Sequence, residues 1–123
     1  MDRLQKKPIV QDLDKKMVIV AGPRQVGKTY LAKSLHKIWP NLEYLNWDSE
    51  EDRMIMLKKE WNRKAPLVIL DEIHKLKGWK SRLKGVVDTE GIPPRLLVTG
   101  SARLDLYRRG GDSLAGRYFF HRM

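Results

Sequence analysis

The stretch that decides the fold reads Gly22-Pro23-Arg24-Gln25-Val26-Gly27-Lys28-Thr29, and it follows the apolar run 17–21. It fits the pattern G-x-x-x-x-G-K-[ST] at every fixed position, and its surroundings predict a strand, a tight loop and then a helix. Glycines at both ends of the loop let backbone N–H groups close around phosphate oxygens, and the start of the helix adds its positive dipole end. The stretch therefore predicts a binding site for the β- and γ-phosphates of a nucleotide.

Two side chains at the end of this stretch have separate tasks in such a site. Lys28 reaches the β- and γ-phosphate oxygens, and the hydroxyl of Thr29 is a ligand for Mg²⁺. We count the whole stretch and the adjoining Tyr30 as nucleotide-binding. The alternative is a plain glycine-containing turn between a strand and a helix, which the strand before the loop and the helix after it disfavour.

Length and composition exclude several classes of protein. A chain of 123 residues is expected to form a single domain, spanning residues 1–123, with one hydrophobic core. It contains no cysteine, which excludes a disulfide framework and a thiolate metal site, and its three histidines are too scattered to bind a metal together. Neither a signal peptide nor an apolar run of membrane-spanning length is present. We therefore expect a cytoplasmic protein without membrane segments.

The formal net charge of +10 favours acidic partners such as nucleotides or nucleic acid. The charge falls partly in dispersed pairs, which are Lys6-Lys7, Lys15-Lys16, Lys58-Lys59 and Arg108-Arg109. Such pairs are also typical of solvated helix faces. Two interpretations stay open: general solubility, or a surface that binds nucleic acid.

Apolar runs and helical patterns alternate along the chain. Strands are predicted at 17–21, 42–46, 67–70 and 95–98, with a further strand beginning at 118–120. Helices are predicted over 28–39, around Leu83 to Val87, and over 104–109. Another helix is predicted to begin after a cap at Ser49 and to bury Met54, Leu57 and Trp61. Residues 1–16 are expected to lie over the nucleotide-binding edge without a helix, because Pro8 interrupts it. This alternation predicts an α/β fold: a parallel sheet covered by helices on both faces.

Ligands of such sheets bind beyond the carboxyl ends of the strands. Asp71 ends the run 67–70, where P-loop NTPases hold Mg²⁺, and Glu72 directly after it is placed to polarise a water that attacks the γ-phosphate. Thr99 or Ser101 ends the next strand, and either hydroxyl would reach the γ-phosphate or the water. Asn46 ends a strand near Glu72 and would hold it inactive, or is an ordinary strand-ending residue.

Arg117 precedes the last predicted strand. Its guanidinium would reach a γ-phosphate bound in a neighbouring subunit, which makes a homo-oligomer a corollary of this role. Arg103, Arg108 and Arg109 compete for the same role.

With these residues the chain resembles the AAA+ ATPases, specifically a prokaryotic group with four motifs in this order. Here they are residues 22–29, Leu-Asp-Glu-Ile-His-Lys at 70–75, Val-Thr-Gly-Ser at 98–101 and Ser-Leu-Ala-Gly-Arg-Tyr at 113–118. The resemblance implies a three-layer P-loop NTPase with sheet order 5-1-4-3-2. It also implies ATP hydrolysis with Mg²⁺, the first sensor at Thr99 or Ser101, and an arginine finger at Arg117. Members continue into a helical lid and a C-terminal domain, which are expected to be absent here because the sequence ends at Met123.

The sequence therefore predicts an ATPase core in which Lys28, Thr29, Asp71 and Glu72 act on ATP and Mg²⁺. Its cycle would drive a conformational change in a partner or in nucleic acid. A remnant that binds nucleotide or DNA without turnover is the alternative. A P-loop kinase of a small substrate is a third interpretation, which Asp71-Glu72 disfavours.

Overall fold

The computed structural model describes residues 3–22, 25–101 and 116–122, with residues 3–6, 25 and 26 described by backbone alone. Its helices are α1 (Arg3–Leu13), α2 (Gln25–Ile38), α3 (Glu50–Lys58) and α4 (Trp79–Glu90), with a 3₁₀ turn at Ile73–Lys75. Its strands are β1 (Met17–Ala21), β2 (Glu43–Asn46), β3 (Leu67–Asp71), β4 (Arg95–Gly100) and β5 (Tyr118–Arg122).

The five strands form one parallel sheet in the order β2-β3-β4-β1-β5. This is the predicted order 5-1-4-3-2 read from the other edge, so the fold class is confirmed. The three interior strands are β3, β4 and β1, of which β1 and residues 67–70 of β3 are continuous apolar runs because helices cover both faces of the sheet.

Alternate residues of the strands enter two separate cores. One face of the sheet packs against α3, the 3₁₀ turn and α4, through residues such as Met56, Ile73 and Leu83. The other face packs against α1 and α2, through residues such as Leu13 and Leu35. The result is the three-layer arrangement that the sequence predicted. Within the described residues, no helix has the length and apolar character needed to cross a bilayer.

The amino-terminal segment differs from its prediction. Residues 3–13 form a helix with Pro8 inside it, whereas the sequence predicted that Pro8 would prevent one. Ile9 and Leu13 on this helix are completely buried in the core beside β1 and β4, and this burial offsets the hydrogen bond that Pro8 cannot donate. The segment therefore covers a sheet face and not the nucleotide-binding edge.

The α3 cap is confirmed, but its buried stripe is wrong. The Ser49 hydroxyl accepts a hydrogen bond from the backbone N–H of Asp52 at 3.4 Å. Met56 is the buried residue of the helix, whereas Met54 is 49% exposed, and the buried Trp61 lies after the helix has ended. The chain leaves the helix at Lys59 in a left-handed conformation, so the periodicity assumed for Trp61 does not apply.

Two other helix predictions can be compared with the structure. α4 begins four residues before Leu83, because Trp79 as well as Leu83 and Val86 is buried against the sheet. The helix predicted over 104–109 lies outside the described residues, as do Arg103, Arg108 and Arg109.

Candidate functional site

The polar residues predicted to meet at the carboxyl edge of the sheet do meet there. Asp71, the last residue of β3, is in register with Thr99 of β4 and with Asn46 of β2. The β1 strand ends beside them, since Ala21 is in register with Gly100 and the N–H of Gly22 donates to the Gly100 carbonyl at 3.1 Å. Three strand ends and the start of the phosphate-binding stretch therefore surround one point.

Lys28 lies at the centre of this arrangement. Its Nζ atom is 2.8 Å from Oε1 of Glu72 and 3.8 Å from Oδ1 of Asp71, and its side chain is only 10% exposed. The low exposure strengthens these attractions relative to a surface ion pair. A lysine from the start of α2 and two carboxylates from the end of β3 thus form one charged cluster.

Both carboxylate oxygens of Asp71 accept hydrogen bonds from hydroxyl groups. Thr99 Oγ1 donates to Oδ1 at 2.8 Å, and the Tyr44 hydroxyl donates to Oδ2. Burial, together with the hydrogen bond to Asp71 and the charge of that residue, raises the pKa of Tyr44 above its ordinary value. The hydroxyl therefore remains a donor, and Asp71 is held between two neighbouring strands.

Glu72 adopts a backbone conformation that is unusual for a residue other than glycine. Its φ of 63° lies in the left-handed region, which costs free energy for a residue with a side chain, and its N–H donates to the Thr99 carbonyl at 2.8 Å. This sharp turn directly after β3 points the carboxylate back toward Lys28. Glu72 and Lys59 are the two described residues other than glycine with a positive φ, and Glu72 is the one predicted to activate water.

The second oxygen of Glu72 has a different set of partners. His74 Nε2 is 2.8 Å from Oε2, and Lys75 Nζ lies 3.8 Å from the same atom. Burial opposes ionisation of Glu72 and is the largest single effect on it. The hydrogen bonds and charges of Lys28 and His74 together outweigh burial, and the pKa of Glu72 lies below its ordinary value. Glu72 is therefore a carboxylate with one oxygen on Lys28 and the other on His74.

A cavity of about 330 Å³ opens beside this cluster, between α2 and the sheet. Its polar lining comes from Lys28, Thr29, Tyr44, Asp71 and Thr99, and its apolar lining includes Leu31, Ile69 and Leu97. Of the predicted site residues, Lys28, Thr29, Asp71 and Thr99 thus line the same space.

The remaining predicted site residues are placed as follows. Gln25 to Tyr30 form the first turns of α2, where Tyr30 is 51% exposed, and Ser101 follows β4 directly. Pro23 and Arg24 lie outside the described residues. Asn46 accepts a hydrogen bond from the N–H of Asp48 at 2.9 Å through its side-chain oxygen, and the contacts given for Glu72 come from Lys28, His74 and Lys75 instead.

Arg117 is not brought to this cluster. It directly precedes β5 at the opposite edge of the sheet, where its Nε atom is 2.7 Å from Oδ1 of Asp88 on α4. Five strand residues separate the two edges, which is roughly 17 Å at the usual rise per residue. Arg117 therefore lies too far from Lys28 of its own chain to share a ligand with it.

Sequence reasoning missed two residues of the cluster, Tyr44 and His74. The available signal for Tyr44 was its position two residues before the end of β2, on a strand expected to be next to β3. His74 was visible as the third residue after Asp71, but the sequence could not say that a 3₁₀ turn would fold its ring back onto Glu72.

Comparisons with known proteins agree with this geometry. The model of a family described as "AAA domain" matches residues 14–123. Two uncharacterized proteins, Rv2008c of Mycobacterium tuberculosis and Mb2031c of Mycobacterium bovis, are each 32% identical to the chain over 109 residues, which is 82% of this chain. The chain spans 23% of the length of these relatives.

Two solved structures are similar in fold over the whole chain. One is the Holliday junction branch migration motor RuvB of Thermotoga maritima, and the other is its T158V variant. Each has a TM-score of 0.64 and 22% sequence identity, and the chain covers 45% of each. At this identity the likeness concerns the fold.

Proposed function

We propose, from the premise that the chain belongs to the AAA domain family, that it binds ATP with Mg²⁺ and hydrolyses it to ADP and phosphate. The observation that carries the proposal is the cluster of Lys28, Asp71 and Glu72, in which Lys28 Nζ lies 2.8 Å from Glu72 and 3.8 Å from Asp71. A phosphate-binding lysine, a metal-binding carboxylate and a second carboxylate that can accept a proton from water are the minimum set for this reaction.

Lys28 links nucleotide binding to activation of Glu72. The γ-phosphate offers the ammonium group a denser negative charge than a single carboxylate, so Lys28 turns from Glu72 to the phosphate oxygens. Oε1 of Glu72 is then available to accept a hydrogen bond from a water molecule. His74 remains on Oε2 and keeps the carboxylate in place.

The chemical step transfers one proton and exchanges one P–O bond for another. The water oxygen bonds to the γ-phosphorus as the bond to the β,γ-bridging oxygen breaks, and Glu72 takes the proton of the water. The leaving phosphate of ADP departs with the bonding electron pair. Thr99, hydrogen-bonded to Asp71, or Ser101 beside it senses whether the γ-phosphate is present.

Thr29 and Asp71 are the residues we assign to Mg²⁺. The described residues contain no group of three or more His, Cys, Asp or Glu side chains arranged to hold a metal. Mg²⁺ does not require one, because it commonly keeps several waters and binds one or two protein oxygens together with substrate phosphates. When bound, the metal neutralises charge on the phosphates during the reaction.

A partner is needed for this cycle to do work. Arg117 lies at the far edge of the sheet, so a role at the γ-phosphate requires a second copy of the chain, and we propose a homo-oligomer on this ground. The net charge of +10 supports nucleic acid as the other partner.

Three variants test the proposal. Glu72→Gln should lower phosphate release at least about 100-fold and leave ATP binding by calorimetry nearly unchanged, since it removes a general base without removing a phosphate contact. Lys28→Ala should abolish ATP binding. Glu60→Gln, on an exposed glutamate, is the matched control and should behave as the parent.

The outcomes separate the rival functions. Phosphate release that is equal in the parent and in Glu72→Gln, with ATP still bound, would reject hydrolysis and leave a nucleotide-binding module. Phosphate that appears only when a small acceptor is added would identify a kinase.

A further inference from the structure

The positive charge of this chain is concentrated in one segment beside Glu72. Between Ile73 and Val87 the sequence has five lysines and arginines and no aspartate or glutamate, which is +5 of the formal +10. The segment comprises the 3₁₀ turn, a short loop and the first half of α4. Its cations are Lys75, Lys77, Lys80, Arg82 and Lys84.

The apolar side of this segment is turned inward. Trp79, Leu83 and Val86 are each less than 5% exposed, because they pack under the sheet. Lys77 is exposed, and Lys80 and Lys84 lie one helical turn apart, about 6 Å along the axis of α4. Lys75, Lys77 and Lys80 line one open depression, and Lys84 follows Lys80 one turn later on α4.

Acidic groups reach this surface at its two ends. Lys75 Nζ lies 2.8 Å from Oδ1 of Asp48, and the negative charge of Asp88 acts on Lys84. Arg82 donates instead to the Leu57 carbonyl at 2.9 Å and so anchors α4 to α3. Lys77 and Lys80 lie between these two ends.

Building on the nucleic-acid partner of the proposed function, we propose that Lys77, Lys80 and Lys84, with Lys75 at their edge, form a surface that binds the phosphate backbone of double-stranded DNA. We name these four lysines the lysine surface. Duplex DNA carries one negative charge per roughly 1.7 Å of axis, so several lysines on one face contact phosphates together and displace condensed counterions.

Two features favour a duplex over other polyanions. Single-stranded nucleic acid is usually held by aromatic rings that stack on bases, but Trp79 is 4% exposed and Lys80 Nζ lies 5.9 Å from its ring centroid. An anionic membrane is usually bound by an amphipathic helix with an apolar face open to lipid, and the apolar face of α4 is already buried. The backbone of a duplex requires only the cations.

The location gives the surface a consequence for the site. Lys75 lies 3.8 Å from Glu72, and His74, which bonds the same carboxylate, belongs to the same 3₁₀ turn. A phosphate that draws Lys75 outward changes the charge around Glu72. DNA bound here therefore lies next to the cluster that we assign to ATP.

The test compares duplex binding by two triple variants of equal net charge. Binding of a labelled 20-base-pair duplex is measured by fluorescence anisotropy across a range of salt concentrations, without nucleotide. One is Lys77→Gln/Lys80→Gln/Lys84→Gln. The matched control is Lys37→Gln/Lys58→Gln/Lys64→Gln, on exposed lysines of other elements. Because no ATP is present, the result does not depend on whether the chain hydrolyses it.

The expected result is a change in the salt dependence of binding. The slope of log K against log salt should fall by about 1 for each lysine lost from the lysine surface, or about 3 in total, and by less than about 1 for the control. Both triple variants should have the free energy of unfolding of the parent in urea, which excludes misfolding. The single variant Lys77→Glu should lower the slope by more than about 1.

Three results would overturn the proposal. One is an equal loss in both triple variants, which would mean that net charge alone attracts the duplex. Another is the absence of duplex binding by the parent at low salt. The third is tighter binding to single-stranded DNA of equal length or to vesicles containing phosphatidylserine than to the duplex.

Discussion

At the scale of single residues, the two oxygens of Glu72 divide the work of the candidate site. Oε1 bonds Lys28, a partner that ATP is expected to attract away, and Oε2 bonds His74, which is buried and fixed by its position in a 3₁₀ turn. One contact is thus exchangeable and the other permanent. A carboxylate held in this way keeps its orientation while its reactive oxygen is released.

His74 is therefore expected to be a positioning residue for hydrolysis. His74→Leu should lower kcat by about 10- to 100-fold, the equivalent of one hydrogen bond to a charged group, and change the Kd for ATP by less than about threefold. His74→Gln, which keeps an N–H donor, should recover part of the loss. Phosphate release measured over a range of ATP concentrations separates kcat from KM.

A purely structural role for His74 predicts a different pattern. In that case His74→Leu and His74→Gln would each lower the free energy of unfolding and kcat together. His74→Gln would then show no selective recovery of kcat.

At the scale of elements, α1 shows how packing overrides local preference. Proline inside a helix removes one backbone hydrogen bond and clashes with the preceding turn, and α1 contains Pro8 at its sixth residue. The helix nevertheless buries Ile9 and Leu13 completely. It is tied down further because His121 Nε2 on β5 lies 2.8 Å from Oδ2 of Asp12. Tertiary contacts thus offset the cost of the proline.

Replacing this proline should stabilise the protein. Pro8→Ala is expected to raise the free energy of unfolding by about 1–2 kcal/mol, because the gain in helix formation exceeds the entropy that alanine adds to the unfolded chain. Urea unfolding followed by circular dichroism measures the change. Pro40→Ala, at an exposed turn after α2, is the control and should not stabilise. A loss of stability in Pro8→Ala would mean that α1 is not helical across residue 8.

At the scale of the whole molecule, the parallel sheet separates the two edges that carry the candidate functional residues. The cluster around Lys28 lies at the carboxyl edge, and Arg117 lies at the amino edge, bonded to Asp88. In an assembly that joins the two edges, Arg117 of one copy would face the phosphates of the next. The ion pair with Asp88 is exposed and therefore weak enough to exchange for a phosphate.

This arrangement predicts complementation between inactive variants. Arg117→Ala should lower ATP hydrolysis about 10³-fold or more if its guanidinium contacts the γ-phosphate in a neighbouring subunit. Mixing Arg117→Ala with Lys28→Ala should restore part of the activity, because some interfaces then combine an intact arginine with an intact phosphate site. Arg63→Ala, which removes a surface ion pair with Glu90 and hydrogen bonds to the Lys59 and Trp61 carbonyls, is the control for loss of a surface arginine and should retain activity. Mixtures no more active than their components would show that Arg117 does not act between subunits.

The sequence by itself determined the fold class and the convergence of Lys28, Asp71 and Thr99, and its resemblance to the AAA+ ATPases implied the strand order. Apolar runs covered on both faces have few alternatives to a parallel sheet, and the carboxyl ends of parallel strands share one edge. The motif residues lie directly after those runs, so their positions follow from chain order and sheet topology.

Only the tertiary structure decided the contacts made by side chains from distant segments. Tyr44 meets Asp71, His74 turns back to Glu72, and α1 forms across Pro8. Each depends on packing against other elements, whose free energy exceeds local preference and is not encoded in the spacing of residues along the chain.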